Sequence, residues 1–184
     1  HVAAVLRRLR RLAHHYGADP TFVVASATMA EPEIVAATLI GAGDVMAVTD
    51  STAPRPARDV VLLRSDGDLT GTASALLERL SRSGQTLAFT TSRVQAELVA
   101  IRARERSDAP DTIASYRGGY LATDRRSIEA ALSAGRLRGV ASTNALELGV
   151  DISGMDAVVT AGFPGTRAAF WQQVGRAGRS GRSA

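Results

Sequence analysis

The chain has 184 residues, 45% of them apolar, and its 22 basic and 18 acidic side chains leave a net charge of +4. That is enough chain for one well-packed domain, or for one domain and part of another. No charge-free stretch reaches the roughly 18 residues of a membrane span, and cysteine is absent, which excludes disulfides and cysteine-held zinc or iron–sulfur sites within this stretch. Every basic residue is Arg, a mildly basic balance that suits a polyanion partner without demanding one. A soluble, cytoplasmic protein with no membrane partner is expected.

Val2, Val5, Leu6, Leu9, Leu12, Ala13 and Tyr16 recur at helical spacing, with Arg7, Arg8, Arg10, Arg11 and His14 on the other face. Gly17 marks the stop. The arginine face reads as solvated, with nucleic acid as its alternative use. Residues 21–25 read as a buried strand, 31–40 as a short helix ended by Gly41, and 45–48 as another strand. Residues 50–57 contain Ser51, Thr52, Pro54 and Pro56 without apolar periodicity, which marks a linker. Beyond it strand-like and helix-like segments alternate. The strands fall at 60–64, 86–90, 112–115, 139–142 and 157–161, and the helices at 69–81, 93–106, 123–134 and 166–174. Alternation of this kind predicts an α/β fold with a mostly parallel sheet and helices on both faces. In such folds ligands gather beyond the carboxyl ends of the strands.

The chemistry-bearing motifs fall at those ends. Ser26-Ala27-Thr28 ends a strand, where its hydroxyls either serve a phosphate-linked network or cap the next helix. Thr90-Thr91-Ser92-Arg93 opens a helix and reads either as an N-cap or as an anion site for a backbone phosphate. Tyr116-Arg117-Gly118-Gly119-Tyr120 is a plain loop or a stacking and backbone-tracking element, and Thr123 is a candidate cap for the helix after it. Thr143 ends a strand, and Asn144 to Leu148 look like one helical turn. Gly149 permits an unusual backbone angle, and Asp151 either caps a turn or meets a ribose hydroxyl or an arginine. Near the end, Phe170-Trp-Gln-Gln-Val-Gly-Arg-Ala-Gly-Arg179 sets Arg176 and Arg179 three apart, on one face if helical. A guanidinium grips phosphate through two parallel hydrogen bonds. The pair therefore has the equipment of arginine fingers.

In order and spacing, the series from Ser26-Ala-Thr28 through Leu87-Ala-Phe-Thr-Thr-Ser-Arg93, Tyr116-Arg-Gly-Gly119 and Thr143-Asn-Ala-Leu-Glu-Leu-Gly-Val-Asp-Ile152 to Gln172-Gln-Val-Gly-Arg-Ala-Gly-Arg179 resembles the later motifs of superfamily-two helicases. It covers nearly the whole chain. Gly162-Phe-Pro-Gly-Thr166 followed by Phe170-Trp-Gln-Gln173 looks most like the mitomycin-repair-factor type of DNA helicase. The resemblance implies two RecA-like lobes with ATP and Mg²⁺ between them, and closure cycles that move single-stranded nucleic acid. Residues 1–49 would end the first lobe, 50–57 would link, and 58–184 would form the second. By motif matching Arg176 and Arg179 reach the γ-phosphate and Gln172 helps orient it. Gly149 and Asp151 join them in the ATP site, Ser26 and Thr28 couple hydrolysis to strand movement, and Ser92, Arg93, Arg117, Gly118 and Thr143 contact the strand. The expected partner is single-stranded or tailed DNA, in DNA repair, with an RNA helicase lobe or a non-catalytic RecA-like module as the alternatives.

The chain departs from the family pattern in one respect that matters. Without Lys it has no Gly-x-x-x-x-Gly-Lys-Ser/Thr phosphate loop, and no Asp-Glu-x-His run appears. Starting on His1, it reads as a piece of a longer protein whose missing part of the first lobe supplies the phosphate loop and the Mg²⁺ ligands. By itself it is expected not to turn over ATP. The cysteine-rich zinc region of the suggested subfamily does not occur in it.

Overall fold

The structure is a computed structural model that describes residues 1–26, 29–50, 57–146 and 154–178. The chain forms two compact units, His1–Ala53 and Pro54–Ala184.

In the first unit, helix α1 (Val2–His15) follows the apolar spacing and stops where Gly17 was expected to stop it, its N–H donating to the His14 carbonyl at 3.0 Å. Helix α2 (Pro32–Ile40) packs beside it. The arginine face of α1 is not simply solvated. Arg7 Nη2 donates to the Thr38 carbonyl at 2.7 Å, and Arg10 Nη1 donates to the Gly41 and Ile40 carbonyls at 2.5 and 3.3 Å. These carbonyls sit at the negative end of α2, where the helix itself provides no donors, so two guanidinium groups satisfy them. Glu31, the N-cap of α2, makes no side-chain cap bond, and Pro32 opens the helix. The strands expected at 21–25 and 45–48 do not form. Val23 and Val48 are 92% and 84% exposed. An apolar run becomes a strand only beside another strand that pairs its N–H and C=O groups, and no described segment of this unit lies alongside.

The second unit is built on four strands, β1 (Thr86–Phe89), β2 (Ile113–Tyr116), β3 (Gly139–Ser142) and β4 (Ala157–Thr160). Their order is β2-β3-β1-β4, and all pairs are parallel. Helices α3 (Leu69–Ser81), α4 (Arg93–Arg106) and α5 (Ala122–Ser133) precede β1, β2 and β3, and α6 (Arg167–Val174) follows β4. Successive side chains of a strand point to opposite faces. Leu87 and Phe89 therefore join Tyr116, Val140 and Leu132 of α5 in one core, while Ala88 joins Ile113, Ala141, Leu77 of α3 and Val99 of α4 in the other. A parallel sheet must be covered on both faces, and this one is.

Local caps set the helix starts. Asp68 Oδ1 accepts the Gly71 N–H at 2.8 Å, and a Cβ on Gly71 would lie 2.2 Å from Asp68 Oδ2, so any larger residue there would make the exposed carboxylate turn. That bond, ahead of the nearby Arg102, holds the Asp68 carboxyl below its ordinary range. Thr123 does not cap α5, which starts one residue earlier after Leu121 without a side-chain cap. The strand expected at 60–64 is also absent. Leu62 is 90% exposed, and no strand of the described sheet pairs with that segment.

Candidate functional site

In the parallel register Phe89, Ser142 and Thr160 stand level at the carboxyl ends of three adjacent strands. Beyond them lies a cleft of about 350 Å³ lined by Thr90, Thr91, Thr143, Asn144, the loop 162–165 and Gln173. Thr90 is held in its wall, Oγ1 donating to the Ser142 and Ser92 carbonyls at 3.2 and 3.1 Å. The Thr91 N–H and hydroxyl both donate to Gln95 Oε1 at 3.1 Å. Ser92 Oγ accepts the Gln95 N–H at 3.1 Å and is the N-cap of α4. Ser92 thus caps the helix as in one half of a capping box, while the Gln95 side chain turns back to Thr91, the residue before the cap, instead of to the Ser92 N–H. This arrangement settles the cap reading of Ser92 and presents the positive end of α4 at the rim of the cleft. Thr143 is 9% exposed, and its Oγ1 accepts the Ala145 N–H at 3.5 Å where a single 3₁₀ turn, Asn144–Leu146, begins.

The next strand end carries a second cluster. Tyr116 is buried, and its hydroxyl donates to Glu129 Oε1 at 2.5 Å, so it is no stacking residue. Arg117 Nε donates to Glu97 Oε1 at 2.7 Å, and the Arg117 guanidinium lies 4.6 Å from the centre of the Tyr120 ring. The Tyr120 hydroxyl donates to the same Glu97 oxygen at 2.5 Å, and Ser115 Oγ donates to Oε2 at 2.7 Å. Burial works to raise the Glu97 carboxyl, but the bonds from Tyr120, Ser115 and Arg117 outweigh it and hold the group below the ordinary range. Burial and the bond to Glu97 raise the Tyr120 hydroxyl. Arg93, exposed at the first position of α4, makes no hydrogen bond or ion pair among the described residues. Ser92, Arg93, Arg117 and Gly118 are thus gathered around the ends of β1 and β2, with Thr143 in the adjoining cleft.

The arginine motif follows α6, whose start is capped by Thr166 Oγ1 accepting the Ala169 N–H at 3.1 Å. Past the helix the backbone is pinned to the sheet. The Met155 N–H donates to the Arg176 carbonyl at 3.1 Å, the Gly178 N–H to the Met155 carbonyl at 2.9 Å, and Arg58 Nε to the Ala177 carbonyl at 2.8 Å. Arg176 is only 6% exposed, packed into the fold and not part of a solvated tail. Of the two glutamines, Gln173 lines the cleft, while Gln172 is half-buried and does not. Thr28, Gly149, Asp151 and Arg179 lie outside the described residues.

Glu97 and the cleft-lining Asn144 and Gln173 are absent from the residues singled out by sequence. Glu97 had a usable signal, standing one helical turn after Arg93. Among the described residues no group of three or more His, Cys, Asp or Glu is placed to hold a metal ion, and no helix is long and apolar enough to cross a membrane.

Residues 71–181 match the helicase conserved C-terminal domain. Over 97% of its length the chain is 39% identical to the uncharacterized ATP-dependent helicase YprA of Bacillus subtilis and 36% identical to the ATP-dependent helicase HRQ1 of Saccharomyces cerevisiae. It spans 26% and 18% of those two relatives. The crystal structure of the DUF1998 helicase MrfA bound to DNA and AMPPNP superposes with a TM-score of 0.81 at 37% identity, over 95% of this chain and 26% of that one. The parallel sheet with helices on both faces is the RecA-like fold of a helicase C-terminal lobe. The chain therefore belongs to the helicase conserved C-terminal domain family, within the superfamily-two helicases.

Proposed function

We propose that the intact protein is an ATP-dependent DNA helicase or translocase acting in DNA repair in the cytoplasm, and that this chain supplies its second RecA-like lobe. Residues 1–49 are the end of the first lobe in this reading, and 50–57 are the link. The observation that carries it is the gathering of Thr90, Thr91 and Thr143 in one cleft at the carboxyl ends of adjacent strands. The Thr143 hydroxyl, which only accepts a bond among the described residues, and the positive end of α4 beside it suit the phosphates of a single strand. MrfA, similar over nearly the whole chain, was crystallised with DNA.

The roles divide by place. Thr143, Ser92, Arg93, Arg117 and Gly118 hold the strand backbone. Ser92 does so through the helix end that it caps, and Gly118 by leaving room beside Arg93, whose Nη2 lies 3.7 Å from the point a Cβ would take. Arg176 and Arg179 stabilise charge on the ATP phosphates, Gln172 helps orient them, and Gly149 with Asp151 borders the nucleotide. Ser26 and Thr28 couple the lobes. ATP supplies the energy for closure when bound. The donors here are arginines rather than carboxylates, so Mg²⁺ is assigned to acidic residues of the first lobe beyond this sequence.

The test is ATP hydrolysis and strand binding by the intact protein beside its Thr143→Ala variant. The variant is expected to bind single-stranded DNA about tenfold or more weakly, the size of one lost charge-assisted hydrogen bond. Basal hydrolysis should survive, and Thr143→Ser should restore most of the binding. Unchanged DNA affinity in Thr143→Ala would remove the cleft from the strand path, and stimulation by RNA alone would move the protein to the RNA branch.

A further inference from the structure

We infer that Glu97 is a positioning residue for strand binding, its carboxylate fixing Arg117 so that the Arg117 and Arg93 guanidinium groups flank one phosphate seat over Gly119. This rests on the strand-binding reading above. Gly119 has φ +101°, a conformation that favours glycine, so no side chain stands between the two arginines on that side of the turn. The position a Cβ would occupy there lies 3.3 Å from Arg117 Nη1 and 3.9 Å from Arg93 Nη1. Two guanidinium groups therefore approach the same side of Gly119, near enough for one phosphate lying over that turn to meet both.

The two arginines reach that spot differently. Arg93 is free to turn, being exposed and without a partner among the described residues. Arg117 is fixed by the 2.7 Å bond from its Nε to Glu97 and by its stacking over Tyr120, and Tyr120 is fixed by its own bond to Glu97. One carboxylate thus orients both the cation and the ring beneath it. It grips Arg117 through Nε, and Nη1 keeps only a long 3.4 Å contact with the Gly118 carbonyl. The Nη edge of the guanidinium is left to donate in its plane to a phosphate oxygen. Ser115 closes the network from the strand side, donating to the second Glu97 oxygen. Held below the ordinary carboxylate range, Glu97 is ionised at neutral pH and keeps the ion pair.

A carboxylate near a phosphate seat has two opposite effects, and they predict opposite signs. As a mere negative charge, Glu97 would repel the strand, and its removal would tighten binding. As a positioning group, its removal releases Arg117 and weakens binding. The experiment measures single-stranded DNA affinity across a salt series for the intact protein and its Glu97→Ala, Arg117→Ala and double variants. Arg117→Ala is expected to weaken binding about tenfold and to flatten the salt dependence by about 0.7 in log–log slope, the loss of one phosphate contact on a single strand. Glu97→Ala should reproduce most of both effects, and the double variant should be no weaker than Arg117→Ala alone, because the two residues act as one unit. Glu97→Gln, which keeps an acceptor but no charge, should fall between wild type and Glu97→Ala, and it carries the cycle if the alanine variant does not fold.

Tighter binding by Glu97→Ala, or additive losses in the double variant, would overturn the positioning role while leaving the strand reading intact. Full affinity in both Arg117→Ala and Thr143→Ala would instead remove the strand reading on which it rests.

Discussion

Arg179→Ala in the intact protein is expected to lower ATP turnover by about 10³-fold or more, the scale of a lost arginine finger, with strand affinity nearly unchanged. The expectation follows from where charge develops. During phosphoryl transfer the negative charge spreads over the phosphoryl oxygens, and a guanidinium already in place lowers the barrier without touching the strand. Arg179 comes three residues after Arg176, whose backbone is clamped between Met155 and the last turn of α6. Arg179 is a cleaner probe than Arg176. Arg176 is 6% exposed, so its truncation removes packing along with charge. The measurement is steady-state hydrolysis at saturating DNA beside an equilibrium binding curve. Loss of strand affinity in step with turnover would mean that the arginine motif acts on the strand.

The second large effect is on stability. Leu87→Ala is expected to destabilise the second unit by about 2–5 kcal/mol, the usual loss for a buried leucine truncated in a packed core. Leu87 is fully buried in β1, which is paired on both sides, and it packs among Phe89, Tyr116, Val140 and Met155. Such a loss is a large share of the roughly 5–15 kcal/mol that holds an ordinary domain folded. Urea unfolding of the intact protein checks it, with Val94→Ala as the control because Val94 is 68% exposed. Leu87→Ala should shift the midpoint of the transition without changing its slope. A midpoint equal to that of the control would mean that the sheet is not packed as described. Because β1 leads directly into Thr90 and Thr91, partial unfolding here should also open the cleft.

Particular residues show how far local information reaches. Helix α1 and its stop, the bounds of α3, α4 and α6, and the strands β1 to β4 follow from apolar spacing and end signals that act within about one helical turn or two strand residues. Ser92 illustrates the limit of such signals. Its sequence context allows a cap or a phosphate ligand, and only the placement of Gln95, whose N–H it accepts and whose side chain clips Thr91, decides for the cap. The apolar runs at 21–25, 45–48 and 60–64 show the converse. Their composition is strand-like, yet a strand exists only where a neighbour pairs with it, and composition does not carry that.

Taken alone, the sequence determined the alternation of strands and helices, the place of the motifs at strand ends, the arginine motif and, through the order of these parts, the helicase family. All of these are properties of neighbouring residues or of their order. Only the tertiary structure decided the strand order β2-β3-β1-β4, which brings Thr90 and Thr143 into one cleft across 53 positions of chain. It also made Glu97 the common acceptor for Ser115, Arg117 and Tyr120, 18 to 23 residues away. It turned Arg7 and Arg10 from a solvated face into donors for the end of α2. The physical reason is the same in each case. Hydrogen bonds and ion pairs act over a few ångströms of space, and which groups come that close is set by the packing of whole elements, not by their separation along the chain.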